Sequence, residues 1–390
     1  MKKNLVVSLL SQVTLVLGFI ISFLLARNLS LDEFGIYSIS RNLLALGILI
    51  INFGFDRTAL NYLTIETVNQ NKYIYSTKVI LFFLVTLIII FSGILFGINQ
   101  STYLIIVSIL FVNIFDIKYL FDLNKKIGAE VIIQLLKPIP GLIYIVYCNY
   151  TKKIISLNLF FTFLLVGHFI VYFLHHHYIN IYPKFGFNKN EIKNIFKKYS
   201  PAFTGILISF GNNFFDTFII LFYINTKQLA IYSIAYSIYS GLIVFFGTLA
   251  RYYISSVLNS KLDLKEIEKF TKKMFLVSAL FSIPLFVFAD YIIIFILGEK
   301  YEESILIFRI LLFSFVIVST SLVYGNLLLV NGNNKQYMYS MLITTIVNVF
   351  LNIILIPFYG IIAAAISTVI CSIISFIFSY KYLKLEIQST

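Results

Sequence analysis

One lysine in the middle of an apolar stretch could bind an anion inside the protein. Lys137 lies within the apolar run 127–147, too far from either end for its stem to reach water at about 1.5 Å per helical residue. Gln134 falls near the same helical face. A buried charge of this kind predicts a polar cavity, and the alternative is a lysine paired with a carboxylate for structural reasons.

A second apolar run carries charges of both signs on one predicted helical face. Arg41, Asn52 and Asp56 follow one another at spacings that place them on the same side of an α-helix. Such a face should look into protein or water, which predicts Arg41 as a cavity cation, Asn52 as a lining residue and Asp56 as an acid that binds a coupling ion or pairs with arginine. The alternative is that Arg41 reaches the outer lipid headgroups and Asp56 the inner ones.

A third polar stripe occurs in the run 201–224. It consists of Asn212, Asn213 and Asp216, preceded by Ser209. Asp216 is predicted either to bind a coupling cation, H⁺ or Na⁺, or to anchor two helices through a hydrogen bond. Asn212 and Asn213 are predicted to line the same cavity.

Arg251, Arg309 and Lys118 stand near the ends of apolar runs. Snorkelling to the headgroups explains each of them nearly as well as a role in binding an anion. Asp32 and Glu33 resemble a catalytic acidic pair, but Ser30 followed by Glu33 predicts a helix capping box.

Consecutive histidines and two distant cysteines could suggest a metal site. His175, His176 and His177 point in different directions on a helix, so they predict a solvated helix end rather than a metal site. Cys148 and Cys371 lie far apart in apolar runs and predict no disulfide framework and no metal site.

The composition fixes the environment of these residues. Hydrophobic residues make up 59% of the 390-residue chain and charged residues 12%, against about 25% charged in soluble domains. A bilayer core takes roughly 20 helical residues. We therefore predict an all-α integral membrane protein with about twelve spans, at 5–26, 36–58, 79–98, 102–121, 127–147, 156–178, 201–224, 229–257, 274–297, 304–330, 336–357 and 360–380.

The net charge of +13 would suggest nucleic acid as a partner in a soluble protein, but here the charge lies in short loops. Most lysines and arginines, Lys78 among them, fall in connections on the side of the N-terminus. This bias predicts an even number of spans with both termini cytoplasmic, and it removes nucleic acid as a partner.

A short internal repeat divides the chain. The segment FGIYSIS at 34–40 returns as LAIYSIA at 229–235, 195 residues later. Because six spans separate the copies, the halves are predicted to be two parallel six-helix lobes. The predicted boundaries are 1–178 for the first lobe, 179–200 for a cytoplasmic linker and 201–390 for the second lobe.

The sequence contains no Walker-type glycine loop, no H-E-x-x-H and no G-x-S-x-G. We therefore predict a carrier without a cofactor rather than an enzyme. Arg41, Lys137, Arg251 and Arg309 outnumber the acids inside the spans, which favours an anionic cargo such as a phosphate or diphosphate. The alternatives are a cation-coupled small-molecule antiporter and, from another class, a membrane glycan polymerase or transferase.

Several motifs carry a resemblance to a known family. They are ARNLS at 26–30, EFGIYS at 33–38, FGFD at 53–56, LGEKY at 297–301 and NVFLNIILIPFYGIIAAA at 348–365. Together they resemble the polysaccharide biosynthesis, or Wzx-type, oligosaccharide flippases of the MATE-like MOP superfamily. The fourth span departs from that pattern because it lacks a Trp/Phe-Gln-Gly type sequence, and the first span has no acidic residue, unlike many drug exporters.

The resemblance implies twelve helices, alternating access and transfer of undecaprenyl diphosphate-linked sugar units from the inner to the outer leaflet of the bacterial cytoplasmic membrane. Its products would be surface polysaccharides such as O-antigen, lipopolysaccharide or capsule. The implied partners are the lipid-linked oligosaccharide, membrane lipids and other polysaccharide-assembly proteins. A lipid II flippase is a further possibility within the same fold.

Overall fold

The computed structural model describes residues 2–56, 71–257, 264–330 and 334–389. Within these ranges the regular structure is helical, with no strand. The described chain also contains a 3-10 turn, Glu299–Tyr301. The helices are α1 (Lys2–Asn28), α2 (Leu31–Asn52), α3 (Asn71–Leu95), α4 (Gln100–Asn113), α5 (Lys118–Leu123), α6 (Ile127–Gln134), α7 (Ile139–Thr151), α8 (Leu157–Ile179), α9 (Lys189–Tyr223), α10 (Thr226–Val257), α11 (Leu264–Val287), α12 (Ala289–Leu297), α13 (Ser304–Val330) and α14 (Asn334–Ser389).

The described helices account for the twelve predicted spans. Nine of them are long and apolar enough to cross a membrane, where the pairs α4–α5 and α6–α7 each count as one. One apolar stretch, Lys335–Leu385 in α14, has 51 residues and is two spans long. Helices α1 and α9 supply the remaining two. The prediction of an all-α membrane protein with about twelve spans is therefore confirmed.

The last two spans meet at a single glycine. Gly360 has φ 62° and ψ −149° inside α14, a conformation open essentially to glycine alone. Pro357, three residues earlier, lacks the amide hydrogen that would continue the helical pattern. The chain therefore turns between these spans without a loop.

The chain divides into two compact units, Met1–Leu207 and Ile208–Thr390. The segment 179–200, which we predict as a linker, is helical from Lys189. Asn188 explains this difference, because its side-chain oxygen accepts the backbone amides of Asn190 and Glu191 and caps the helix. The basic residues before Pro201 thus lie on the first turns of α9 and not in a loop.

The repeated segment begins a helix in each unit. In the first unit Ser30 and Glu33 form the predicted capping box, with the Ser30 amide 2.9 Å from the Glu33 carboxylate. In the second, Asn225 caps α10 by accepting the amide of Gln228 at 2.9 Å. The interpretation of Asp32 and Glu33 as helix-start residues is confirmed, since Glu33 is engaged by the cap.

The tyrosine of each repeat makes the same kind of contact. The Tyr37 hydroxyl lies 3.4 Å from the Ser22 hydroxyl on the preceding helix α1. The Tyr232 hydroxyl donates to Asp216 on the preceding helix α9. Both rings are buried, so each repeat fastens its helix to the one before it.

Two spans of the first unit are interrupted. The fourth is broken at 114–117, between α4 and α5, and the fifth at 135–138, between α6 and α7. Lys137 lies in the second break. Pro138 and Pro140 explain that break, because neither can donate a helical hydrogen bond.

Candidate functional site

Lys78 is a fully buried residue of the first unit, which corrects its predicted place in a loop. It belongs to α3, and its side chain is completely buried. Its ammonium donates to the side-chain oxygen of Asn52 at 3.0 Å and to the backbone carbonyl of Asp116 at 2.7 Å. That carbonyl belongs to the break between α4 and α5. Lys78 therefore bonds a backbone oxygen at the point where the helix is interrupted.

Two carboxylates stand near this ammonium. Asp56 follows the turn at Phe53 and Gly54, both of which have positive φ, and accepts a hydrogen bond from the Asn52 amide at 3.3 Å. Asp116 is buried and accepts the backbone amide of Lys118 at 3.0 Å. Both aspartates act electrostatically on Lys78, although neither carboxylate forms a salt bridge with it among the described residues.

A second acid and base pair lies beside them. The ammonium of Lys118 is 3.8 Å from the carboxylate of Glu130, which is 4% exposed. Lys118 also interacts electrostatically with Asp56 and Asp116. This contact joins α5 to α6, and therefore one broken span to the other. We call Asn52, Asp56, Lys78, Asp116, Lys118, Glu130 and Lys137 the break cluster.

Lys137 reaches a buried polar chain from the break between α6 and α7. Its ammonium is 3.4 Å from the Tyr172 hydroxyl and 5.3 Å from the centre of that ring. The Tyr172 hydroxyl donates to Asn113, the last residue of α4, whose amide is 3.3 Å from Nδ1 of His168. His168 thus has a bonded position in the core, and Lys137 stays half-buried.

The break cluster contains as many carboxylates as ammonium groups. We predict an excess of cations inside the protein, but Asp116 and Glu130 offset it here. Sequence reasoning missed both acids because each stands near the end of a predicted span, as Lys78 does. The adjacent charges Asp116 and Lys118 within the apolar run 102–123 were the available signal. Paired charges avoid most of the penalty of an isolated ion in a medium of low dielectric.

Arg41 and Gln134 are the other predicted site residues of this unit. The guanidinium of Arg41 donates to the Ser22 hydroxyl at 3.1 Å and lies 5.9 Å from the centre of the Tyr37 ring. Among the described residues no carboxylate forms a salt bridge with it. Gln134 is half-buried and ends α6, one turn after Glu130. Arg41 thus carries a half-buried positive charge without an acidic partner in the described chain.

The three histidines occupy three different surroundings. His175 is fully buried, 4.6 Å from the Phe121 ring, and His176 lies 3.0 Å from the Tyr75 hydroxyl. Only His177 is exposed. The prediction of a solvated helix end is wrong for His175, because aromatic side chains of α5 and α8 cover it.

The second unit holds a neutral polar cavity. Its volume is about 230 Å³, and Asn212 lines it. The Asn212 side-chain oxygen is buried without a hydrogen-bond partner in the described structure. Asp216 lies on the same helix and accepts hydrogen bonds from Tyr232 and from the backbone amide of Thr217. The side chain of Asn213 lies outside the described residues.

Arg251 and Arg309 do not come together with these residues. Arg251 is exposed and donates to its own helix, at the Gly247 carbonyl and the Thr248 hydroxyl. Arg309 forms a salt bridge of 2.5 Å with Asp290 and donates to the Phe286 carbonyl at 3.1 Å. Arg309 therefore fastens α13 to the junction of α11 and α12.

The apolar helices and their buried polar groups are those of a multi-pass membrane protein. The chain belongs to the polysaccharide biosynthesis protein family, whose model matches residues 24–306. Comparison with curated protein sequences finds no match.

Three solved structures share the fold. The lipid II flippase MurJ in an inward closed conformation gives a TM-score of 0.80 at 15% identity, over 97% of this chain and 87% of that one. An inward-facing multidrug resistance MATE transporter gives 0.66 at 11%, over 96% and 95%. A MOP superfamily transporter from Pyrococcus furiosus gives 0.52 at 11%, over 98% and 94%. At these identities the likeness establishes the fold.

Proposed function

We propose that this protein is a flippase that moves undecaprenyl diphosphate-linked oligosaccharide from the inner to the outer leaflet of the bacterial cytoplasmic membrane, for assembly of a surface polysaccharide. The observation that carries the proposal is the family match over residues 24–306. The fold shared with a lipid II flippase supports it. Both termini would be cytoplasmic, and no cofactor is required.

The basic residues of the first unit suit a diphosphate. Arg41 carries a guanidinium without an acidic partner among the described residues, and Lys137 is half-buried at a helix break. Guanidinium and ammonium groups bind phosphate oxygens through charge-assisted hydrogen bonds. We propose that these two residues attract the diphosphate while the isoprenoid tail stays in lipid. Arg251 and Arg309 would play at most a secondary part, because their contacts lie on their own unit's helices.

The cavity of the second unit suits a sugar better than a cationic drug. Its lining includes Ser209, Asn212, Tyr236, Tyr239 and Asn348, and none of the described residues that line it is charged. Hydroxyl and amide groups donate and accept hydrogen bonds as sugar hydroxyls do, whereas an organic cation requires a carboxylate or an open aromatic cage. This observation favours the flippase over a small-molecule antiporter.

Deletion of the gene tests the proposal. We expect lipid-linked sugar to accumulate on the cytoplasmic leaflet and surface polysaccharide to be lost, both measured with a membrane-impermeant glycan probe on intact and on opened cells. A gene for the wild-type protein should restore both. Accumulation of flipped but unpolymerised units on the outer leaflet would instead identify a glycan polymerase. Unchanged polysaccharide together with sensitivity to cationic compounds would identify an antiporter.

A native thiol reports on the sugar cavity. Cys371 lines it and is 4% exposed, and Cys148 is the only other cysteine. In a Cys148→Ala variant we expect lipid-linked oligosaccharide to slow alkylation of Cys371 several-fold, because the sugar would cover the thiol. Mass spectrometry of the purified protein measures the rate.

The matched control is Cys371→Ala, which leaves the buried Cys148 of α7 as the reporter. Its alkylation should be independent of cargo. Equal protection of both thiols would indicate a general conformational change, and no protection of Cys371 at saturating cargo would remove the sugar from this cavity.

A further inference from the structure

The surroundings of the Lys78 ammonium resemble the coordination shell of a metal ion. Its two hydrogen-bond acceptors are the Asn52 amide oxygen at 3.0 Å and the Asp116 backbone carbonyl at 2.7 Å. The rings of Phe55 and Tyr119 cover it, with centres 5.8 and 5.9 Å away. The side chain has no exposure to solvent.

Two carboxylates lie next to this shell. Asp56 accepts a hydrogen bond from Asn52 at 3.3 Å, and Asp116 is the residue that supplies the carbonyl. Both carboxylates act electrostatically on the ammonium, and the second oxygen of Asp56 is buried without a hydrogen-bond partner among the described residues. One amide oxygen and one carbonyl from an interrupted helix, with two carboxylates beside them, form surroundings that suit a hard monovalent cation. In membrane transporters, freed carbonyls of broken helices hold such ions.

We propose that Lys78 is a tethered cation, whose ammonium permanently fills a monovalent-cation site at the break between α4 and α5. The positive charge that joins α2, α3 and this break is then covalently bound and does not exchange with the medium. Removal of the side chain should convert the same oxygens into a site for Na⁺. The proposal does not depend on the cargo of the protein, and thermal stability tests it without transport.

Competing explanations for Lys78 predict a different response to salt. If Lys78 were only a hydrogen-bond donor to the broken helix, its loss would weaken the protein equally in every salt. If its charge only offset Asp56 and Asp116, any increase in ionic strength would help to the same degree. Only a vacated cation site distinguishes Na⁺ from a large cation such as choline at equal ionic strength.

The experiment uses the full-length protein in detergent, in NaCl or in choline chloride of the same concentration. In choline chloride the Tm of Lys78→Ala should be lower than the Tm of wild type. When NaCl replaces choline chloride, the Tm of the variant should rise by about 3–5 °C more than the Tm of wild type rises. The variant should also bind more radiolabelled Na⁺ per chain than wild type. In Lys78→Ala/Asp56→Asn both gains should disappear, because the site has lost one of the two negative charges beside it.

Lys72→Met is the matched control, since Lys72 is an exposed lysine of the same helix that lies over the Tyr73 ring at 4.9 Å. It should respond to the two salts as wild type does. If Lys78→Ala gives no folded protein, Lys78→Gln replaces it, because its amide can still donate to the Asp116 carbonyl. Two results together would overturn the proposal in whichever variant folds. The Tm of the variant would differ from that of wild type by the same amount in both salts, and the variant would bind no more Na⁺ than wild type.

Discussion

Gly167→Ala is expected to destabilise the protein strongly. A Cβ at this position of α8 would lie 2.1 Å from the backbone carbonyl oxygen of Lys137 and 3.3 Å from Cδ of Pro140. Neither atom can rotate away, so the break between α6 and α7 must move. We expect a loss of about 3 kcal/mol, measured as a fall in apparent Tm and in the yield of monodisperse protein.

Gly205→Ala provides the control for this prediction. Gly205 is also a helical glycine, and a Cβ there would meet nothing within 4 Å. Alanine stabilises a helix relative to glycine by up to about 1 kcal/mol. The Tm of Gly205→Ala should therefore equal or exceed that of wild type. Equal Tm values for the two variants would mean that α8 does not approach the break as closely as described.

Lys137→Ala is expected to reduce flipping of lipid-linked oligosaccharide by about 10- to 100-fold. An ionic hydrogen bond contributes about 1.5–3 kcal/mol, and each 1.4 kcal/mol is a factor of ten. At matched membrane levels in the deletion strain, the variant should leave sugar-lipid on the cytoplasmic leaflet. Arg41→Ala should act in the same direction.

Lys153→Ala is the matched control for Lys137→Ala. The Lys153 ammonium lies 3.3 Å from the Tyr147 hydroxyl and 5.4 Å from the centre of that ring, nearly the geometry of Lys137 with Tyr172, but at an exposed position. It should flip cargo at the wild-type rate. If Lys137→Ala also does so, Lys137 serves only to hold the chain of Tyr172 and Asn113 in place.

Features that depend on neighbours in sequence could be predicted. The capping box of Ser30 and Glu33 needs only four consecutive residues, and the spans need only an apolar run of sufficient length. The repeat could be found because it preserves a helix start and a tyrosine. The break at Pro138 had a signal in its two prolines.

Features that depend on distant residues could not be predicted. Lys78 looks like a loop residue because polar side chains precede it, and only the carbonyl of Asp116, 38 residues away, explains its burial. The break before Lys118 contains no proline, so no helix-breaking residue marks it in the sequence. Arg309 finds its acid on another helix, at Asp290. Each of these positions depends on tertiary contacts, and the hydrophobic periodicity of the sequence gives no information about such contacts.

The direct turn at Gly360 also limits how the protein can be made. The two spans of α14 are joined without a polar loop, since Gly360, whose φ and ψ are non-helical, lies directly between two apolar helical segments. No hydrophilic segment is left there to be translocated by itself. During synthesis the eleventh and twelfth spans should therefore enter the bilayer together, as one helical hairpin, and an epitope or reporter domain inserted at this turn would have to be carried through with both.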